Sequence, residues 1–325
     1  MTLEELSFIL LFALVADALM GDPDWLWARA PHPVVIMGRG ITAIDRRFNT
    51  SRRSDQARRI LGVAACLVFL TSAAVAGWLL QAIAALHPFA VIIEIAAVTV
   101  LLAQRSLYDH VDQVYRAFQQ GGLDDARRAV ARIVGRDPDS LDEAAVCRAA
   151  IESTAENFSD GVVAPAFWYL VGGLPALIAY KMINTADSMI GYRTPQHEDF
   201  GWAVARLDDV MNIIPARISG VLLAISAPSV GGSPRSASGT MWTEAGQHRS
   251  PNAGWPESAM AAALGIALAG PRTYGTTVVD DAWMNKEGRG NARPNDIRRA
   301  LTLLIVACVL HAAAVALLHG CSLMV

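Results

Sequence analysis

"ILGVAACLVFLTSAAVAGWLLQAIAAL", residues 60–86, decides the fold class. It carries no charged side chain and exceeds the roughly 20 apolar residues that a spanning helix needs. His87 and Pro88 then break the run, and residues 89–103 return as a second apolar segment with Glu94 inside it. The two segments read as a transmembrane hairpin. Arg46, Arg47, Arg52, Arg53, Arg58 and Arg59 precede it, and Arg105 and Arg116 follow. Positive charge gathers on the cytoplasmic side, so both open ends of the hairpin are expected there. Residues 301–319 form a last span whose start, after Arg298 and Arg299, is cytoplasmic by the same rule. Residues 6–20 read as a first membrane segment broken by Asp17. It begins with Glu4 and Glu5 and lacks a small-residue cleavage site, so it is expected to stay attached.

Working outward, the whole chain agrees with this reading. Its 325 residues are 53% hydrophobic and only 18% charged, beyond the usual balance of a soluble domain. The formal net charge of -3 gives no basic field and argues against nucleic acid. Cys66, Cys147, Cys308 and Cys321 show no CxxC spacing, and three lie in or at the end of apolar runs, as buried free thiols do. Three weaker apolar stretches, 162–180, 209–228 and 257–270, contain glycine or proline breaks or fall short of a span. Such segments are tolerated at membrane depth where they line a cavity or pack in protein. The expected fold is therefore an all-α, polytopic integral membrane protein with about four or five spanning helices, broken or re-entrant segments and long polar loops. It reads as one membrane-embedded domain over 1–325. Within it, 105–160 is a mostly helical cytoplasmic segment, with a break at "GGLDD" and a loop at "GRDPDSLDE" where Asp139 or Ser140 caps the next helix. Residues 229–298 read as polar loops around a short apolar helix near 257–270.

Four polar clusters stand against this apolar background. In "GDPDWLWARAPHPVVIMGRGI", 21–41, Asp22 and His32 follow the first segment, with Trp25 and Trp27 as interfacial aromatics. In "ESTAENFSDG", 152–161, Glu152, Glu156 and Asp160 follow i, i+4, i+8 spacing, and Ser153 and Asn157 adjoin them. Like charges at that spacing destabilise a bare helix, and oxygen ligands suit Mg²⁺. The bland alternative is a solvated acidic face. In "YKMINTADSMIGYR", 180–193, a helix would put Tyr180, Asn184, Asp187, Ser188 and Gly191 on one face. Lys181, Tyr192 and Arg193 stand beside it, and polar groups at the edge of lipid are functional by default. In "HRSPNAGWPESAMAAALG", 248–265, His248, Ser250, Asn252 and Glu257 precede a small-residue helix whose start could offer backbone N–H groups to an anion. No Walker, dinucleotide-binding or HExxH motif is present.

These stretches, together with "DDVMNIIPARISG" and "GRGNARPNDIRRAL", resemble the CobD/CbiB family of cobamide biosynthesis in order and spacing over nearly the whole chain. The family often has an acidic residue just before the "HRSPN" histidine, and here Glu244 in "TEAGQHR" stands nearest. The resemblance implies adenosylcobinamide-phosphate synthase activity: ATP-dependent joining of adenosylcobyric acid to (R)-1-amino-2-propanol O-phosphate through an amide. A carboxylate does not accept an amine without activation, so an acyl phosphate is the expected route. Basic residues would stabilise the transferring phosphoryl group and a carboxylate or histidine would take the amine proton.

With that chemistry in view, His32, Glu156, Lys181, Asp187 and Arg193 are the candidate catalytic residues. Asp22, Asn157, Asn184, Ser188, Tyr192, Arg217, His248, Ser250 and Asn252 are the candidate substrate-binding residues. Glu152, Glu156 and Asp160 are the candidate Mg²⁺ ligands, and ATP and Mg²⁺ are the expected cofactors. The implied partners are the corrinoid and amino-alcohol phosphate substrates and membrane lipid. Contact with other late cobamide-assembly membrane enzymes and a homo-oligomer stay open. The expected location is the inner membrane, multi-pass, with the site facing the cytoplasm. A secondary transporter with broken polar helices is the alternative. A CDP-alcohol phosphotransferase is disfavoured because "DGVVAP" lacks that signature's arginine and later aspartates.

Overall fold

A computed structural model describes residues 1–133, 141–274, 277–279 and 281–324. The chain is helical almost throughout. Five helices are long and apolar enough to cross a membrane: Asp55–Ala85, Ala90–Val130, Glu143–Ile190, Ile213–Val230 and Pro294–Ser322. This bears out the all-α, multi-pass fold. The first apolar segment is a helix, α1 (Leu3–Met20), but it is not one of the five. Glu4, Glu5 and Asp17 account for the difference, because each carboxylate raises the cost of insertion.

The described residues divide into two compact units. The first comprises residues 1–102, 164–212 and 315–325. After α1 and the single turn α2 (Asp24–Trp27), α3 (Pro33–Phe48) starts on the cap supplied by His32, with proline in its first turn. There a missing N–H costs nothing. The expected hairpin is present as α4 (Asp55–Ala85) and α5 (Ala90–Leu101), and α5 packs chiefly on α1. The second arm of this unit is α8 (Ala164–Ile190), which lies along α4 and is followed by α9 (Trp202–Met211). The break expected at "VGGLP" is real: Gly172 and Gly173 leave helical geometry, and Gly173 has φ of 63°, a conformation that only glycine adopts without strain. Gly77 of α4 fits against the chain just past the break, where an added Cβ would stand 2.6 Å from Pro175 Cα. Inside this unit Tyr169 Oη donates to Glu94 Oε1 at 2.9 Å and Gln81 Nε2 donates to the same oxygen at 3.2 Å. The buried acid of the hairpin is thus satisfied by neighbouring helices, as membrane burial requires.

The second unit comprises residues 103–163 and 213–314. Here α6 (Gln104–Val130), interrupted at Gly122, packs on α7 (Glu143–Phe158), and α7 runs into a π-helical turn at Ser159–Val163. The proposed caps Asp139 and Ser140 lie outside the described residues; Asp142 caps α7, accepting from Ala145 N at 2.7 Å. The apolar stretch at 209–228 splits at Asn212, and only α10 (Ile213–Ser226) is its long apolar part. Residues 229–298 hold the short apolar helix expected near 257–270, as α12 (Gly254–Leu264), and also α11 (Pro234–Glu244), where loop was expected; both pack on α10 and on each other. Ser233 caps α11 with proline at its start, a signal that a Ser/Pro-rich composition disguises as loop. Two antiparallel ribbons follow: β1 (Leu268–Ala269) with β4 (Trp283–Met284), and β2 (Arg272–Tyr274) with β3 (Thr277–Val279). The helix α13 (Pro294–Ser322) starts in this unit. Its entry is clamped by Asp296, which accepts from Arg289 at 2.9 and 2.7 Å and from Arg299 at 3.1 Å. The "GRGNARPNDIRRAL" stretch is therefore in good part a structural latch.

Candidate functional site

In the first unit the end of α8 and the facing side of α9 build a buried polar network. Asp208 is its centre. Its Oδ1 accepts from Asn184 Nδ2 at 3.3 Å and its Oδ2 from Asn212 Nδ2 at 3.0 Å. Asn212 Oδ1 in turn accepts from Tyr180 Oη at 3.0 Å. Lys181 is buried on the same helix. The predicted face of Tyr180, Asn184, Asp187 and Ser188 is thus helical to Ile190, and the network explains its amide and hydroxyl. Ser188 is exposed and donates to Asn184 O. Tyr192 and Arg193 follow the helix on the exposed side. Asp209, beside Asp208, is held above the usual carboxylate range by burial, partly offset by Arg206 and Arg193. Sequence reasoning missed Asp208 and Asn212 as members. Their i, i+4 spacing inside "DDVMNIIPARISG" was the available signal.

The same unit joins Asp22 and His32. His32 Nδ1 accepts from Val34 N at 3.2 Å, which leaves the ring proton on Nε2, 3.6 Å from Asp22 Oδ1. Trp27 packs edge-on against the ring at 4.5 Å. This arrangement first of all starts α3.

In the second unit two groups form. One gathers Arg217, His248, Ser250, Asn252 and Glu257. His248 repeats the geometry of His32: Nδ1 accepts from Ser250 N at 3.0 Å, and Nε2 faces Glu257 Oε1 at 3.7 Å. A carboxylate so placed orients the imidazole ring. Arg217 lies over the Trp255 ring at 4.4 Å and donates to Asn252 Oδ1 at 3.3 Å. The start of α12 is less open than expected, because Ser250 Oγ accepts from both Asn252 N and Ala253 N at 3.2 Å. Glu244 accepts from the backbone N–H of Asn285, where φ is 56°, and so ties down a turn.

The other group is the α7 stripe. Glu152 is buried and its Oε1 accepts from Ala269 N at 2.8 Å, whereas Glu156 and Asn157 are exposed and Asp160 is half-buried. The π-helical turn at Ser159 departs from the 3.6-residue period on which the three-carboxylate face depended. Among the described residues no group of three or more His, Cys, Asp or Glu side chains is placed to hold a metal ion. Glu152 therefore anchors the backbone at Ala269, while Glu156 and Asp160 stand at the more open end of the stripe. Ser153 and Asn157 line an open cleft of about 390 Å³ with Ser106, His110 and Arg132. His110 and Arg132 did not stand out in sequence, because in a helical segment with many charges they read as a solvated face.

Helices of membrane length combined with buried Asp, Glu, Lys and Asn networks define a multi-pass membrane protein with interior polar sites. Comparison with known proteins narrows the class. The family model described as CobD/Cbib protein matches residues 10–304, and the chain belongs to that family. A "Cobalamin biosynthesis protein CobD" from a Sinorhizobium species is 52% identical over 95% of this chain and 97% of its own. Proteins of the same name from Rhizobium meliloti and Rhodobacter capsulatus are 49% and 44% identical, covering 94% and 91% of each chain. No solved structure matches.

Proposed function

We propose that this protein is an enzyme of cobalamin biosynthesis that makes adenosylcobinamide phosphate, forming an amide between adenosylcobyric acid and (R)-1-amino-2-propanol O-phosphate at the expense of ATP. The observation that carries the reading is the family match across residues 10–304, together with relatives named for cobalamin biosynthesis that match over 97% and 94% of their own length. The chemistry needs an activated carboxyl group. The γ-phosphoryl group of ATP passes to a carboxylate oxygen, leaving ADP; the amine nitrogen then attacks the carbonyl carbon, and inorganic phosphate departs with that oxygen. Mg²⁺, when bound, neutralises phosphate charge, and Glu156 and Asp160 are the residues to hold it.

The chain's own groups suit the remaining tasks. The attacking amine must lose a proton, and His248, oriented by Glu257, is the residue to take it. Lys181 and Arg193 suit phosphate as a point charge and as a planar fork. Asn184, Ser188 and Tyr192 suit the amide-rich rim of a corrinoid. Purified protein in lipid nanodiscs, given both substrates, ATP and Mg²⁺, should yield the amide and ADP in equal amounts. Failure to form the amide, with corrinoid instead accumulating inside proteoliposomes made from the same purified protein without ATP turnover, would replace the synthase by a transporter.

A further inference from the structure

A cleft of about 480 Å³ on α3 is used by none of the assignments above. Val35, Arg39, Ala43 and Arg46 line it from α3, over a floor of Gly38 and of Met189 from the end of α8. An added Cβ at Gly38 would already stand 3.4 Å from Met189 Sδ, so a larger residue there would start to fill the floor. The opposite face of α3 fixes its depth. Ile41 is fully buried in one cluster with Ala65, Cys66 and Phe69 of α4 and Ile183, Ala186 and Ile190 of α8. Residues 65–69 lie in the first turns of the apolar run 60–86. The helix α3 therefore lies against the end of a span whose arginine flank marks it as cytoplasmic. At that depth Val35 and Ile36 are nonetheless exposed. Arg39 and Arg46 stand about two turns apart on the same side, are exposed, and make no side-chain hydrogen bond or ion pair among the described residues. Asp45, the one carboxylate of α3, does not serve them. It accepts from Asn49 Nδ2 at 2.9 Å and faces His197 Nε2 at 3.5 Å. Thr42 Oγ1 also lines the cleft, but it donates to Gly38 O at 2.9 Å. Its proton is spent within the helix, and recognition of an anion falls to the two arginines.

We propose that this cleft holds the head group of an anionic phospholipid, with Arg39 and Arg46 on its phosphate and the start of an acyl chain over Val35, Ala43 and Met189. An arginine fork matches phosphate oxygens, and basic pockets beside spanning helices on the cytoplasmic side are where such head groups sit. The apolar walls decide between a lipid and a free anion. They offer nothing to a phosphate ion, whereas an acyl chain laid on them removes apolar surface from water. The inference does not depend on which reaction the protein performs.

The test uses the full-length protein in mild detergent, with phosphatidylglycerol as probe, phosphatidylcholine as the neutral comparison and native mass spectrometry to count bound lipid. Wild type should bind a first phosphatidylglycerol about tenfold or more tighter than a first phosphatidylcholine. Arg39→Gln combined with Arg46→Gln should weaken that first binding about ten- to a hundredfold, the range of a lost hydrogen bond to a charged group. Ala43→Phe keeps both charges but fills the cleft, and it should expel the lipid as well. Arg52→Gln combined with Arg53→Gln removes as much charge from the exposed turn after α3 and should leave the first binding unchanged. Thermal midpoints without added lipid should match wild type in all variants, and the selectivity of wild type needs no variant at all. Three results would each overturn the proposal. Equal binding of the two lipids denies selectivity. Equal loss in the Arg52 and Arg53 pair leaves only a diffuse basic surface. Displacement of the lipid by an equal concentration of glycerol 3-phosphate or ATP makes the cleft a site for a soluble anion. Amide formation is measured separately, so its failure sinks the reaction and leaves the lipid site standing.

Discussion

Asp208 holds two amides at once, and with Asn212 it reaches Tyr180. Removing it strands buried donors, which costs more than the hydrogen bonds contribute when made. Asp208→Ala should therefore destabilise the protein by about 2–4 kcal/mol, and Tyr180→Phe by about 1 kcal/mol, as read by chemical denaturation in mild detergent. Asp209 makes a pH prediction. Its carboxyl is raised by burial, so the folded state holds the proton more tightly than the unfolded chain. Stability from that proton is complete below the unfolded carboxylate value and is lost as pH rises through the higher folded value. Asp209→Asn should thus leave the thermal midpoint unchanged near pH 3 and raise it at neutral pH. Glu257 belongs to the same scale. If it orients His248, Glu257→Gln should lower the rate of amide formation about 10²- to 10⁴-fold while the unfolding midpoint stays near that of wild type.

At the scale of elements, the break in α8 and the flat spot on α4 belong together. Gly173 turns the chain with positive φ, and Gly77 lets Pro175 approach α4 closely. An added side chain at Gly77 has no space, so Gly77→Leu should cost about 1–3 kcal/mol or more by overpacking and lower the yield of folded protein. The break at "VGGLP" was legible in sequence because glycine and proline are the strongest local punctuation. Helix α11 was not, because Ser, Pro and Gly at a cap look like Ser, Pro and Gly in a loop. The π-helical turn at Ser159–Val163 was not legible either. A π turn alters helical period without any residue that announces it.

At the scale of the molecule, Leu67, Val68, Val75, Trp78 and Leu79 of α4 are exposed, as are Phe8, Phe12 and Val15 of α1. In a spanning helix such a face belongs to lipid. Val68→Arg should impair membrane insertion by about 2.5–3.5 kcal/mol, visible as loss of protein from the membrane fraction. Orientation is testable too. A cysteine placed at Ser188, which is exposed, should react with a membrane-impermeant maleimide from the cytoplasmic side and be protected by ATP or corrinoid. Labelling only from the periplasm, unchanged by either ligand, would contradict a cytoplasm-facing site.

Hydrophobic runs, arginine flanks and glycine breaks by themselves determined that this is an all-α membrane protein, with its hairpin at 60–103 and its break at 172–173. They could do so because length and charge are constraints that lipid imposes residue by residue along the chain. The long motifs likewise announced the family before any geometry. Tertiary structure alone decided which polar groups meet. It put Asp208 against Asn184 and Asn212, turned Glu152 into an anchor for Ala269, set Glu257 on His248, and brought His110 and Arg132 to the cleft of Ser153 and Asn157. Hydrogen bonds act over about 3 Å between atoms that can be a hundred residues apart, and no local pattern encodes that proximity.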